Sequence, residues 1–176
     1  MAIKDGDFES LVREHKAMLY RIAFNFFLNA RIAEEIVQDV FLQCFENLKN
    51  IQSPEHLKAW LRRAATHRCI DLVRSGRARK ELPLDELPDV PDQIPESDPL
   101  LAERLRRLVA SLPEKQRMIL ILRYAEDMDS DEIGELLDMP APTVRSHLQR
   151  ALAILREKAP RALGEEIYGP TRKQPS

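Results

Sequence analysis

The chain has 176 residues, 44% hydrophobic and 32% charged, with a formal net charge of -2. That length suits one ordinary domain or two small ones. No run approaches eighteen apolar residues, and the amino terminus lacks a basic region followed by an apolar core and cleavage site, so the expected location is the cytoplasm rather than a membrane or the exterior.

In chain order, Phe8, Leu11, Val12, Leu19, Ile22, Ala23, Phe26 and Phe27 mark a first amphipathic helix, broken near Asn29. A second carries Ala33, Ile36, Val37, Val40, Phe41, Cys44, Phe45 and Leu48 inward at regular three- and four-residue spacing. Its opposite face holds Glu34, Glu35, Gln38, Asp39, Gln43 and Glu46. A polar loop, Asn47 to Pro54, leads to a third helix with Leu57, Trp60, Leu61, Ala64, Ala65, Ile70 and Val73 inward, Pro54 standing near its start. Trp60 shares the register of Leu57 and Leu61, so core packing is its expected role. Cys44 and Cys69 sit on apolar faces with no Cys-x-x-Cys partner and read as buried free thiols. His67 lies two residues before Cys69 but lacks the further ligands a zinc site needs, so no metal and no cofactor is expected.

Charge is strongly segregated. Trp60 to Lys80 carries seven bases (Arg62, Arg63, Arg68, Arg74, Arg77, Arg79 and Lys80) against the single acid Asp71. Glu81 to Pro99 then carries seven acids, no base and five of the twelve prolines. Such a stretch cannot bury a core and reads as an extended linker. The expected organisation is a helical domain over 1–80, an acidic proline-rich linker over 81–99, a second helical domain over 100–160 and a tail over 161–176. No stretch alternates convincingly as a strand, so the fold class is all-α.

The second domain contains the most informative segment. Ile133, Leu136 and Leu137 form the apolar face of a short helix; Val144, Leu148, Ala151, Leu152 and Leu155 form that of a longer one. Between them Pro140 and Pro142 forbid one continuous helix and favour a new start near Pro142 or Thr143. This is a helix-turn-helix pattern. With Val144 inward, Thr143, Arg145, Ser146, His147, Gln149 and Arg150 share the outer surface, and these are side chains suited to base edges and phosphates. The supporting segment carries seven acids (Glu126, Asp127, Asp129, Asp131, Glu132, Glu135 and Asp138) and no base, whereas Arg145, Arg150, Arg156 and Lys158 follow it. The second helix is therefore the one expected to face DNA.

Three segments in order carry a resemblance: Ala33-Glu-Glu-Ile-Val-Gln-Asp-Val-Phe-Leu-Gln-Cys-Phe45, Trp60-Leu-Arg-Arg-Ala-Ala-Thr-His-Arg-Cys-Ile-Asp-Leu-Val-Arg74, and Leu112-Pro-Glu-Lys-Gln-Arg117 ahead of the helix-turn-helix. Together they resemble an extracytoplasmic-function sigma factor of the sigma-70 family, over about Asp7 to Lys158. The resemblance implies a bacterial transcription initiation factor with core RNA polymerase and promoter DNA, duplex and melted, as partners. It also admits an anti-sigma factor that covers the same faces. By position, Asn50, Ile51, Gln52 and Ser53 would hold a flipped non-template base of the minus-ten element. Arg62, Arg63 and His67 would contact the minus-ten strand and fork, with Arg74, Arg77 and Arg79 on phosphates. Glu35, Gln38, Asp39 and Gln43 would meet the polymerase, and Thr143, Arg145, Ser146, His147, Gln149 and Arg150 the minus-thirty-five element. A basic helix beside a polar loop suits single-stranded DNA, and an acidic linker suits a basic channel.

The chain departs from the family pattern at His67, where Asn is common, at Asp138, where the turn often has glycine, and near Pro142. Asp tolerates the left-handed conformation, and Pro142 fits if it begins the recognition helix. Two other classes compete. A stand-alone DNA-binding regulator would share the helix-turn-helix but has no use for the loop and basic helix from Asn50 to Lys80. An enzyme is disfavoured, because no phosphate-binding glycine loop, His-Glu-x-x-His pattern or nucleophile elbow is present and no catalytic residue stands out.

Overall fold

The computed structural model describes residues 5–76 and 99–163, and within them seven α-helices and one 3₁₀ turn, with no strand. Arg77, Arg79, Lys80, the acidic stretch up to Asp98 and the tail after Leu163 lie outside the described residues.

Helix α1 (Asp5–Phe27) stops where Leu28 takes a left-handed conformation, φ 53°. Asn29 then caps α2 (Ala30–Asn47), its side-chain oxygen accepting the Ile32 N–H at 2.9 Å. A 3₁₀ turn (Leu48–Asn50) leads to α3 (Pro54–Arg74). Ser53 accepts the His56 N–H at 3.1 Å, and Pro54 occupies the first helical position, where a missing N–H costs nothing. The expected break at Asn29 and the start at Pro54 are thus both present.

In the second group, α4 (Pro99–Ala110), α5 (Glu114–Tyr124), α6 (Ser130–Leu137) and α7 (Ala141–Leu163) follow in order. Asp129 and Glu132 form a reciprocal capping box at the start of α6. Asp138 ends it at φ 54°, ψ 47°, the left-handed conformation expected of an aspartate in place of glycine. Ala141, not Pro142, opens α7, so Pro142 sits in its first turn, where its ring is still tolerated.

The two groups share one hydrophobic core. Leu19, Ile22, Phe26, Ile32, Ile36, Val40 and Leu61 on one side are continuous with Met118, Ile119, Leu122 and Ile133 on the other, all essentially inaccessible to solvent. Helix α1 packs on α4 and α5, and α3 packs on α5 and α6, while α7 packs on α4, α5 and α6. A smaller cluster of Leu112, Leu120 and Ala151 holds α7 from behind.

Phe45 departs from the expected inward face. It is 56% exposed, beside Leu42 at 65%, because it lies at the rim of a groove between α1 and α2, where it makes an edge contact with the half-buried Phe8 ring, 5.3 Å between centroids.

Candidate nucleic-acid interface

The helix-turn-helix is set by one close approach. A Cβ on Gly134 would lie 2.6 Å from the Met139 carbonyl oxygen, so only glycine lets the turn fold back onto α6. The Met139 N–H donates to the Gly134 carbonyl at 2.9 Å and fixes that return. With Ile133, Leu136, Val144 and Ala151 buried, α7 turns Thr143, Arg145, Ser146, Gln149 and Arg150 to solvent. The Ser146 hydroxyl donates back to the Pro142 carbonyl at 3.0 Å, leaving its lone pairs outward. Among the described residues, neither Arg145 nor Arg150 has an ion-pair partner. His147 is half-buried, and burial, with Arg150 and Lys115 nearby, pulls its pKa below the ordinary histidine value. The α7 face is thus an open strip with two unpaired guanidinium groups.

The basic face of α3 is engaged instead. Arg63 forks onto the far group, donating to an Asp138 carboxylate oxygen at 2.6 Å and to the Glu135 carbonyl at 3.0 Å. His67 Nε2 lies 3.2 Å from the Leu136 carbonyl oxygen. Arg62 approaches Glu126 at 3.6 Å, and Arg21 of α1 donates to the other oxygen of the same carboxylate at 2.7 Å. The Glu126 side chain is 1% exposed, so both arginines converge on a buried acid. Arg74 reaches Glu114 at 3.2 Å. Trp60 is half-buried, one side on the core and the other lining a cleft of 340 Å³ that Arg62 and Arg63 share with Glu132 and Glu135.

In the loop before α3, Asn50 and Gln52 are exposed, Ile51 leans on the core and the Ser53 hydroxyl is occupied as the helix cap. The Gln52 N–H donates to His56 Nδ1 at 3.3 Å, which steadies the loop backbone and leaves the Gln52 side chain outward. On α2, Glu35, Gln38 and Gln43 are exposed, whereas Asp39 is half-buried and receives two hydrogen bonds from Arg68, at 2.6 and 3.0 Å. Asp39 therefore joins α2 to α3 as well as bordering the outer face.

Arg117, the last residue of the third resemblance segment, joins the two groups. Its guanidinium lies 4.8 Å from the Phe26 ring centroid and donates to the Phe26 and Leu112 carbonyls, each at 3.0 Å. Burial lowers its pKa, with Glu114 acting in the opposite sense.

Comparison with known proteins places this geometry. The chain matches the family model Sigma-70 region 2 over residues 11–79 and Sigma-70 region 4 over residues 102–155. The RNA polymerase sigma-E factor of Streptomyces coelicolor is 32% identical, with 86% of this chain and 85% of that protein covered. The ECF RNA polymerase sigma factor SigE of Mycolicibacterium smegmatis is 33% identical over 85% of this chain and 60% of its own length. The chain belongs to the extracytoplasmic-function group of sigma-70 family RNA polymerase sigma factors. A solved structure, the sigma factor RpoE from Bartonella quintana in complex with the anti-sigma factor NepR, shares the fold with a TM-score of 0.68 at 20% identity, covering 86% of this chain and 95% of that one. In this sigma factor the region 2 match runs through α1, α2 and α3, and the region 4 match from α4 into α7.

Sequence reasoning missed the acids that tie the two regions together. In the sequence Glu126 and Asp138 belong to the acidic segment supporting the helix-turn-helix, Asp138 also to its turn, and only a buried carboxylate facing two arginines from another region distinguishes Glu126. No local spacing carries that signal, since Arg21 and Glu126 are 105 residues apart.

Proposed function

We infer that this sigma factor binds core RNA polymerase, directs it to promoters and starts transcription there, reading two promoter elements with two different surfaces. The observation that carries this reading is the open strip of α7, in a chain whose region 2 supplies a second basic helix beside an exposed polar loop. Arg145, Gln149 and Arg150, with Thr143, Ser146 and the His147 edge, enter the major groove of the minus-thirty-five duplex. Arg forks onto guanine and Gln onto adenine, so these side chains give base readout while the start of α7 sits against phosphate.

In region 2, Asn50 and Gln52 trap one extruded base of the minus-ten strand, with Ile51 as the apolar wall and Ser53 holding the loop to α3. Arg62, Arg63 and His67 hold the strand at the fork, and Arg74 and Arg77 take phosphates. Glu35, Gln38 and Gln43 meet the polymerase, with Asp39 at their border. Leu42 and Phe45 supply the exposed apolar centre such an interface needs. The domains divide near the acidic linker, over 81–99. An anti-sigma factor able to cover the α2 and α7 faces is a fitting inhibitor. No described helix is long and apolar enough to cross a membrane, and a protein that works with polymerase on chromosomal DNA works in the cytoplasm. Catalysis resides in the polymerase, and this chain needs no cofactor of its own.

The test is pull-down of the full chain with bacterial core RNA polymerase, followed by mapping of transcript starts on genomic DNA. Stable association with new starts that share two spaced elements is expected. DNA binding without polymerase association would instead make the chain a stand-alone regulator. Replacing Gln52 is expected to change preference at one minus-ten base and leave polymerase binding intact.

A further inference from the structure

The loop assigned to the minus-ten base is fastened to α3 through His56, by two different groups. The His56 backbone N–H donates to the Ser53 hydroxyl at 3.1 Å and completes the helix cap. The ring makes a second, separate tie, Nδ1 accepting the Gln52 N–H at 3.3 Å. That amide belongs to no regular ladder. The 3₁₀ turn closes one residue earlier, with the Ile51 N–H on the Leu48 carbonyl at 3.2 Å, and α3 opens later, with the Leu57 N–H on the Ser53 carbonyl at 2.9 Å. The Gln52 backbone is therefore held by Ile51 leaning on the core at one end and by an imidazole at the other.

An imidazole accepts at Nδ1 only while neutral, with its proton on Nε2; an imidazolium donates from both nitrogens and offers no lone pair. Histidine is the side chain that passes between these forms near neutral pH. The His56 ring also lines the 340 Å³ cleft, where Glu132 and Glu135 face it from α6 and Arg62 and Arg63 from its own helix. Its exposed neighbours along the chain include Glu55 and Lys58.

We propose that His56 is a positioning residue for minus-ten recognition: the neutral ring holds Gln52 in its base-reading arrangement, and proton uptake at Nδ1 releases it. This rests on the assignment of Gln52 to a minus-ten base. His56 acts through the loop backbone and sets how sharply that base is chosen, while polymerase association and upstream contact belong to other surfaces. Acidification thereby relaxes promoter choice at a single position of the minus-ten element.

The experiment compares holoenzymes carrying the wild-type chain, His56→Ala, His56→Asn and Gln52→Ala on promoters taken from start mapping, with the base assigned to Gln52 varied. Preference is the ratio of permanganate-detected opening on the favoured base to that on the others, measured near about pH 8 and about pH 6. Asparagine places an amide oxygen about where Nδ1 stands and accepts at either pH. Both His56 variants lie at an exposed position and keep the backbone N–H that Ser53 accepts, so the cap is untouched.

His56→Ala is expected to lower the preference by about fivefold at both pH values, the loss of one loop hydrogen bond. The wild type should match His56→Asn at the higher pH and approach His56→Ala at the lower, while His56→Asn holds its preference at both. If Gln52→Ala keeps the preference, the loop does not read the base, and the proposal fails with that assignment. If Gln52→Ala loses it and His56→Ala does not, the loop assignment stands and the role of His56 is overturned. An asparagine variant no better than alanine, or one that falls with acid as the wild type does, would overturn it as well. A wild-type preference that acid leaves unchanged would overturn the release by proton uptake.

Discussion

Helices α3 and α7 look alike in sequence, each amphipathic and studded with arginine, yet the fold treats them oppositely. Arg62, Arg63 and Arg74 of α3 end on carboxylates and a carbonyl of the other region, whereas Arg145 and Arg150 of α7 have no ion-pair partner among the described residues. Positive charge marks a surface able to meet nucleic acid, but availability depends on what the rest of the chain sets against it. Here the acids flanking α6 do double service: they leave the bases to α7 on their own region and neutralise the bases of α3 on the other.

Four changes separate or sharpen these two faces. The largest effect is expected from Ile119→Ala, in the core both regions share, at about 2–5 kcal/mol of stability. Denaturant unfolding followed by probes in each region should stay coincident, and two separated transitions would show that the regions are independent. Arg150→Ala should weaken binding of minus-thirty-five duplex by roughly 5- to 150-fold, the 1–3 kcal/mol of a lost base contact, while leaving promoter melting chemistry intact. Gel-shift titration of holoenzyme at fixed salt measures it.

Asp129→Ala removes the acceptor for the Asp131 and Glu132 N–H groups, both at 2.9 Å, and should cost about 1 kcal/mol, read as a lower denaturation midpoint. The smallest effect concerns acid. The fold lowers the His147 pKa, so folding is undisturbed above the unfolded value of about 6.5 and is increasingly opposed as pH falls below it. His147→Gln should flatten the fall in stability between pH 7 and 5, and an unchanged slope would assign it to other groups.

Much of the fold was legible because its signals are local. Asn29, Pro54 and the Val144 face each announce a helix boundary or an inward side within a few residues. The left-handed Asp138 was readable as chemistry that tolerates the turn. Cys44 and Cys69 are indeed buried free thiols, and burial raises both pKa values, Cys44 to about 11, so neither is a thiolate at neutral pH. The outward placement of Thr143, Arg145, Gln149 and Arg150 followed from helical periodicity alone.

What stayed hidden was long-range. The meeting of Arg62 with Glu126, of Arg63 with Asp138 and of Arg117 with Phe26 joins residues too far apart for any periodicity to couple. Phe45 was misplaced for a related reason. Its spacing matches the inward stripe of α2, but α1 covers only part of that stripe, and the outer end of the groove remains open.

The division of labour between the faces is tested most directly by footprinting holoenzyme on a mapped promoter, with hydroxyl radical for contact and permanganate for melting. Arg150→Ala should lose protection of the upstream element and retain melting wherever the complex is driven to form. Arg63→Ala should keep upstream protection and lose melting. Loss of both signals in both variants, or of neither, would contradict the assignment of the two faces to two promoter elements.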